Sequence, residues 1–285
     1  MNTQLRHIAQ RHPCFSHQAS MNRGRIHLPV SPVCNIQCRF CRRAFNKIEN
    51  RPAVASGLLE PKDAVSYVRG ALELCPEITV VGIAGPGDPL ASPHALQTFQ
   101  LIYQNFPEMI NCLSTNGLLL EDYALDLFHA GVQTVTVTVN AVDPAILAHI
   151  CASIIVEGKR YEGYEGAAQL IAAQKRGIAK AAALGMLIKI NTVLIPPLNG
   201  DHIADIARTV KALGAGIINI IPLIPQYEFS DFQSPDCIDL TLAREAAEEF
   251  LPVFRHCQHC RADACGILGK TDLFLPQIEQ SFSHG

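Results

Sequence analysis

The sequence predicts an α/β protein built as an open, partial barrel of six parallel βα units, with an N-terminal arm and a Cys-rich C-terminal extension. Two observations predict it: short apolar, β-branched runs alternate with stretches of helical periodicity, and there are six such runs, two fewer than close a barrel. The predicted strands are 25–31, 79–84, 110–114, 133–139, 187–195 and 217–224. Helices are predicted at 61–74, 93–105, 121–130, 143–150, 165–184, 201–213 and 241–252, several opening at Pro61, Pro93 or Pro144, where a missing N–H costs nothing. Pro29 inside the first strand predicts an unpaired sheet edge there, because proline cannot donate to a ladder. The repeat divides the chain into an arm (1–24), a core (25–235) and an extension (236–285).

Composition points to an intracellular enzyme. At 285 residues and 48% hydrophobic, the chain can bury one large core. A formal charge of −3 without a long basic run argues against nucleic-acid binding through phosphates. The N-terminus has no apolar stretch of signal-peptide length, and the apolar runs near 187–198 and 217–225 are broken by Lys189, Asn191, Asn219 and prolines, so no membrane span and a cytoplasmic location are expected. Eleven Cys in such a chain suggest metal or redox chemistry rather than disulfides, since cytosolic thiols stay reduced.

Cys34, Cys38 and Cys41 form a Cys-x3-Cys-x2-Cys run with Phe40 before the last Cys, directly after the first predicted strand. Three thiolates on so short a loop can ligate three irons of a [4Fe-4S] cube and leave the fourth open to a chelating amine and carboxylate. In parallel α/β barrels functional groups gather at the C-terminal ends of strands, so the loops there are the next candidates. After the second strand, Gly82 to Pro89 contains Gly85, Gly87 and Asp88, where glycines permit close backbone approach. After the third, Ser114, Thr115 and Asn116 offer hydroxyls and an amide, and Asn140 and Asn191 add amides at the fourth and fifth.

Other Cys and His stand apart from this loop. Ile26, Leu28 and Val30 share one strand face, so His27 points to the other, toward the barrel interior. Cys112 precedes the Ser-Thr-Asn-Gly turn, and Cys14 lies in His12-Pro13-Cys14-Phe15-Ser16 on the arm, which could fold across the barrel mouth. Cys257, Cys260 and Cys265, with His256 and His259, make a second dense thiol run that suits zinc or iron–sulfur. Cys75 and Cys151 read as buried packing residues.

The first Cys run resembles the signature of the radical SAM superfamily, and Gly82–Asp88 resembles that superfamily's turn for the methionyl amine of S-adenosylmethionine. The chain as a whole resembles the NifB family of nitrogenase iron–molybdenum cofactor maturases. The likeness runs through His12–Ser16, Arg25–His27, the Cys34 loop, Glu49 with Arg51-Pro52, Gly82–Asp88, Leu113–Gly117, Thr134–Asp143, Asn191–Pro196 and His256–Gly269. The resemblance implies the open (βα)6 TIM-type barrel of radical SAM enzymes, a nitrogen-fixation role, S-adenosylmethionine, one [4Fe-4S] cluster that binds it, and up to two further [4Fe-4S] clusters fused with an inserted carbide into an eight-iron precursor. It implies Cys34, Cys38, Cys41, Glu49 and Arg51 as catalytic residues, and Gly85, Gly87, Asp88, Ser114, Thr115, Asn116, Asn140 and Asn191 as contacts to S-adenosylmethionine. Cys14, His27 and Cys112 match ligands of one substrate cluster, Cys257 and Cys260 those of the other, with Cys265 as an additional ligand. Implied partners are an iron–sulfur cluster donor, a cofactor carrier or scaffold protein and an electron donor. One position departs from the family: a further ligand Cys before the Glu-x-Arg-Pro segment is absent, and this chain reads Phe45-Asn46-Lys47-Ile48-Glu49. That departure leaves a second reading, a divergent radical SAM enzyme with an auxiliary cluster acting on a peptide or small molecule. A third, a non-catalytic iron–sulfur carrier, has no use for an open iron beside a glycine-rich turn.

Overall fold

A computed structural model describes residues 3–271; the outermost parts of the expected arm and extension, 1–2 and 272–285, lie outside them. All six predicted parallel strands form: β1 (Gly24–His27), β2 (Ile78–Ile83), β3 (Ile110–Thr115), β4 (Val132–Thr138), β5 (Leu187–Leu194) and β6 (Ile217–Pro222). They pair in sequence order as one curled, open sheet, and a seventh strand, β7 (Cys265–Ile267), joins beside β1. Helices on the outer face connect them, among them α1 (Ala64–Leu74), α2 (His94–Asn105), α3 (Leu120–His129), α4 (Gly163–Ala183), α5 (Ile203–Ala212) and α6 (Cys237–Glu248).

Strand alternation sets the two faces. Val81, Ile83, Leu113, Val135, Val137, Ile188, Ile190, Ile218 and Ile220 pack outward under the helices in one core. The alternate positions on β4 to β6 hold a polar stretch between apolar ends: Thr134, Thr136 and Thr138, then Lys189 and Asn191, then Asn219. A barrel interior of this kind is a site rather than a packed core, since amides and a lysine need polar partners.

Four expectations are corrected. The first strand ends at His27, and Pro29 marks no open edge: β7 pairs antiparallel with β1 from Gly24 to Ile26, and β2 pairs on its other side. Pro29 lies beyond the ladder, where its missing N–H costs nothing. The arm is helical, Thr3–Arg11 and His17–Asn22, and it covers the opposite end of the barrel from the mouth. The hydroxyl of Thr79, near the start of β2, donates to Arg11 O (2.9 Å), and Ile8 packs with Val80 and Ile110. The last helix begins at Cys237 rather than 241, because Asp236 caps the N–H groups of Ile238 and Asp239 in a capping box. Between β4 and α4, where only the helix 143–150 is predicted, Pro144–Ile150 is followed by strands Cys151–Val156 and Lys159–Glu162. These strands form a small antiparallel sheet with Ile36–Cys38 of the first Cys loop.

The extension closes the open side. Val253 bridges to Ile218 at the β6 edge, and the chain then crosses to become β7 on β1. A buried ion pair, Arg261 with Asp263 (2.8 Å), anchors this crossing. Arg261 also donates to Asn46 O (2.8 Å), and Asp263 accepts the Ser56 N–H (2.6 Å), stapling the loop after the Cys run to the extension.

Candidate functional site

The mouth of the barrel is built by the loop leaving β1. Backbone N–H groups of Gly87 and Asp88 donate to Ser31 O (2.7 Å) and Val33 O (2.8 Å), which fixes the chain immediately before Cys34. A Cβ at Gly87 would stand 2.0 Å from Val33 O, so only glycine allows this approach. Gln37 Nε2 donates to Cys38 O (2.9 Å) and Cys41 O (3.1 Å), winding the loop so that Cys34, Cys38 and Cys41 share one cavity. That cavity, of about 270 Å3, is also lined by Gly87, Asp88, Ser114, Thr115, Asn116, Asn140 and Asn191. Gly85 is not on its wall; it adopts φ +141° beside Ala262, a conformation glycine permits.

Burial pushes the Cys34 thiol up to about 11, with Asp88 adding to it, and burial raises Cys41 against the pull of Arg43 and Arg51. Cys38 is raised by its hydrogen bond with the Cys151 thiol and by burial. Such thiols hold their protons at neutral pH until a metal displaces them. Three thiols in one largely apolar cavity that also presents Ser114, Thr115 and three Asn side chains therefore fit a [4Fe-4S] cluster with an open iron facing it.

Asp88 is fully engaged by the protein. Its carboxylate accepts from Leu90 N (2.9 Å), Thr115 Oγ1 (3.0 Å) and Asn116 N (2.6 Å), binding the two turns together. Asn116 Nδ2 in turn donates to Asn35 Oδ1 (2.7 Å), with the Cys34 sulfur 3.9 Å away. Asn140 Oδ1 accepts from Val193 N (2.9 Å), and Asn191 Oδ1 accepts from Asn219 Nδ2 (3.0 Å).

Deeper in the barrel lies a second constellation. His27, Gly82, Cys112 and Thr134 form one lateral row across β1 to β4. His27 Nδ1 donates to Arg261 O (3.0 Å), because a carbonyl only accepts, which leaves the Nε2 lone pair free for a metal. Burial, then the Arg25 charge, lowers His27 to about 4, so the ring is neutral at physiological pH. Gly82 makes room for the ring: a Cβ there would meet His27 Cδ2 at 2.9 Å and Nε2 at 3.3 Å. The Cys14 thiol is pushed up to about 12 by burial, opposed by Lys189 and reinforced by Cys260, Cys112 and Cys257, its electrostatic neighbours. Arm, sheet and extension thus bring four thiols and an imidazole to the barrel floor. Among the described residues no three His, Cys, Asp or Glu side chains crowd a single point as one metal ion requires; a cube, with one side chain per iron, takes them more widely spaced.

Cys265 lines a smaller cavity with Cys260 but stands apart from the His27 row. It pairs in register with Ile26, is 1% exposed, and shares the helix-side core, on the face opposite His27. Glu49 and Arg51 lie outside the mouth cavity. Arg51 Nε donates to Glu49 Oε2 (2.6 Å) and its NH1 to Arg42 O (2.7 Å), while Glu49 shares a second cavity of about 190 Å3 with Arg25 and Cys260. Arg25 NH2 donates to the Cys260 sulfur (3.2 Å).

Sequence reading missed three residues. Lys189 is 4% exposed, donates to Cys14 O (3.0 Å) and sits over the Phe254 ring at 4.5 Å. His12, 1% exposed, accepts the Cys14 N–H on Nδ1 (3.0 Å), so its Nε2 carries the proton and has no protein acceptor. A lysine in phase with Asn191 on a barrel strand was the available signal for the first; nothing local marks His12. The third is Cys151, whose thiol touches Cys38 and lines the mouth cavity.

An open parallel half-barrel with a three-Cys loop after its first strand defines a radical SAM enzyme, and the comparisons agree. The Radical SAM superfamily profile matches residues 28–210. The fold is shared with Streptococcus suis SuiB bound to S-adenosylmethionine (TM-score 0.59, 14% identity, 82% of this chain and 51% of that one). It is shared also with methylornithine synthase PylB (TM-score 0.53, 13% identity, 88% and 69%). FeMo cofactor biosynthesis protein NifB of Methanocaldococcus infernus is 46% identical over 94% of this chain and 89% of its own. That of Methanocaldococcus jannaschii is 48% identical over 92% and 88%, and that of Klebsiella pneumoniae 44% over 92% and 58%. The chain belongs to the NifB family of the radical SAM superfamily. No helix among the described residues is long and apolar enough to cross a membrane.

Proposed function

We propose that this enzyme acts in iron–molybdenum cofactor biosynthesis, inserting a carbide and fusing two [4Fe-4S] substrates into one eight-iron precursor. The carrying observation is the convergence of Cys14, His27, Cys112, Cys257 and Cys260 on the barrel floor, below and apart from the three-Cys mouth. Cys112 and Thr115 are three residues apart on β3, which at about 3.3 Å per residue puts the two sites roughly 10 Å apart along the strand.

In this reading Cys34, Cys38 and Cys41 hold the resident [4Fe-4S] cluster, which when bound supplies the electron that cleaves S-adenosylmethionine. Asp88 fixes the turns on either side of the ligand, and Ser114, Asn140 and Asn191 present hydroxyl and amide groups to it. Cys14, His27 and Cys112 take one substrate cluster; Cys257 and Cys260 take the other. Lys189 offsets the charge of the floor thiolates, and the His12 Nε2 proton is available to a sulfide. Glu49, held by Arg51 and sharing a cavity with Cys260, acts on the second substrate in this reading. A cluster donor, a carrier for the product and an electron donor complete the cycle. A divergent radical SAM activity on a peptide or small molecule is favoured by one observation, the lack of a thiol between Phe45 and Glu49.

Anaerobic iron counting with EPR tests this. Three cubes give about twelve irons per chain, two about eight and one about four. The maturase reading expects about twelve, and label from the methyl of S-adenosylmethionine recovered in the iron–sulfur product. About eight irons with no label transfer moves the reading to the peptide or small-molecule enzyme.

A further inference from the structure

Cys38 and Cys151 are direct partners across the small antiparallel sheet, brought opposite each other by a register shift after Gln37. Opposed residues on antiparallel strands have Cα atoms about 4.5–5.5 Å apart, inside the window of about 4.4–6.8 Å that a disulfide needs. Their thiols are hydrogen-bonded, and both side chains line the mouth cavity. Cys151 is buried and Cys38 half-buried, so a small oxidant entering the cavity meets Cys38 first. Neither Cys34 nor Cys41 has this relation to another strand.

We propose that Cys38 and Cys151 form a redox-sensitive thiol pair, closing to a disulfide when the three-Cys loop holds no cluster and so locking the loop against iron. The oxidant is a low-molecular-weight disulfide. The Cys38 thiol, giving up its proton as it reacts, attacks one of its sulfurs and releases one thiol; Cys151, giving up its own proton, then attacks Cys38 Sγ and releases the second. Two protein thiols are oxidised, one disulfide is reduced to two thiols, and the two protons leave with them. Formation of the bond needs no cluster; only its consequence, competition with iron for Cys38, rests on the function proposed above.

The full chain, stripped of iron by a chelator and incubated anaerobically with oxidised glutathione, is alkylated, digested and mapped by mass spectrometry. The peptide pair joined through Cys38 and Cys151 is expected to dominate and to be absent from iron-loaded chain. After the same treatment, iron and sulfide should load the mouth at least tenfold more slowly than in reduced chain until a dithiol is added. Cys151→Ser and Cys151→Ala, with melting temperatures reported for both, should show no such delay. Cys38 joined mainly to Cys34 or Cys41, a persistent glutathione adduct on Cys38, or the same delay in both variants would overturn the proposal. A joined pair in a chain whose mouth takes up no iron even when reduced would instead overturn the cluster assignment and leave the disulfide standing.

Discussion

Gly82→Ala tests the floor site without deleting any ligand. Gly82 is not among the positive-φ glycines, so alanine is compatible with its strand backbone. The added Cβ would meet His27 Cδ2 at 2.9 Å, where ordinary contact begins at 3.4 Å, while the nearest other atom, Cys112 O, is at 3.8 Å. The imidazole is the movable partner and must shift by about 0.5 Å, more than the roughly 0.2 Å that metal–ligand distances tolerate. Weakening its bond to Arg261 O costs about 1 kcal/mol, against about 0.5–1 kcal/mol gained by replacing a strand glycine. Net stability should change by less than about 1 kcal/mol and the melting temperature by no more than about 4 °C. Anaerobically purified protein should retain the mouth cluster but lose about four irons to a chelator several-fold faster than wild type, as His27→Ala should. The double variant should be no worse than either. Iron release identical to wild type, or a fall in melting temperature beyond about 10 °C, would refute the claim that a ligating His27 is what yields.

Three further outcomes follow from the same geometry. Lys189→Met keeps the length of the side chain and removes the cation beside Cys14; floor iron should be released several-fold faster in a chelator time course while S-adenosylmethionine cleavage persists, and unchanged release would remove Lys189 from the site. Asp88→Asn leaves one acceptor for Asn116 N and Thr115 Oγ1 and should lower stability by about 1.5–3 kcal/mol in urea unfolding, with weaker S-adenosylmethionine binding by titration calorimetry because the turn at Thr115 and Asn116 loosens; full stability would show the carboxylate to be dispensable to the turns. In the cluster-free chain His27 has a folded pKa of about 4 against 6.5 unfolded, so the unfolded state binds the extra proton. Stability is then fully present above pH 6.5 and falls as the pH drops toward 4, by about 2 kcal/mol at pH 5 for this group; His27→Gln should lose about that much less between pH 7.5 and 5.

The barrel was legible because its code is repetitive: the Thr-Val alternation through 134–139 and the Ile runs of β5 and β6 bury one face whatever the rest of the chain does. The mouth was legible for a different reason, since three thiols on eight residues are read without any tertiary contact. What sequence did not show depends on contacts between distant residues. The β7 strand exists only because β1 offers a free edge, and three residues of Cys265–Ile267 carry no strand signal of their own. Lys189 and Cys14 meet across 175 positions, and the Cys38–Cys151 pairing needs a hairpin whose strands are too short and mixed to announce themselves.

The polar interior explains why the added segments carry the floor thiols. A six-stranded sheet that turned apolar residues inward would close on itself and leave no room, whereas one lined by Thr134, Thr136, Lys189, Asn191 and Asn219 is stable only if other groups or a ligand satisfy it. Arm and extension supply part of that: Cys14 O receives the Lys189 ammonium, Phe254 lies beneath it, and Arg261 O receives the His27 ring. Each of these segments brings its thiols in the same stroke, Cys14 two residues after His12, Cys257 and Cys260 between Phe254 and Arg261. Covering the floor and furnishing it with thiols are therefore one structural event. The Cys34–Cys41 loop itself depends less on these segments: Gly87, Asp88 and the Cys151 hairpin hold it, and the extension reaches the mouth only through the following loop, which Arg261 and Asp263 staple. Damage to the arm should therefore empty the floor while leaving the radical chemistry of the mouth in place, whereas loss of Arg261 and Asp263 should disturb both.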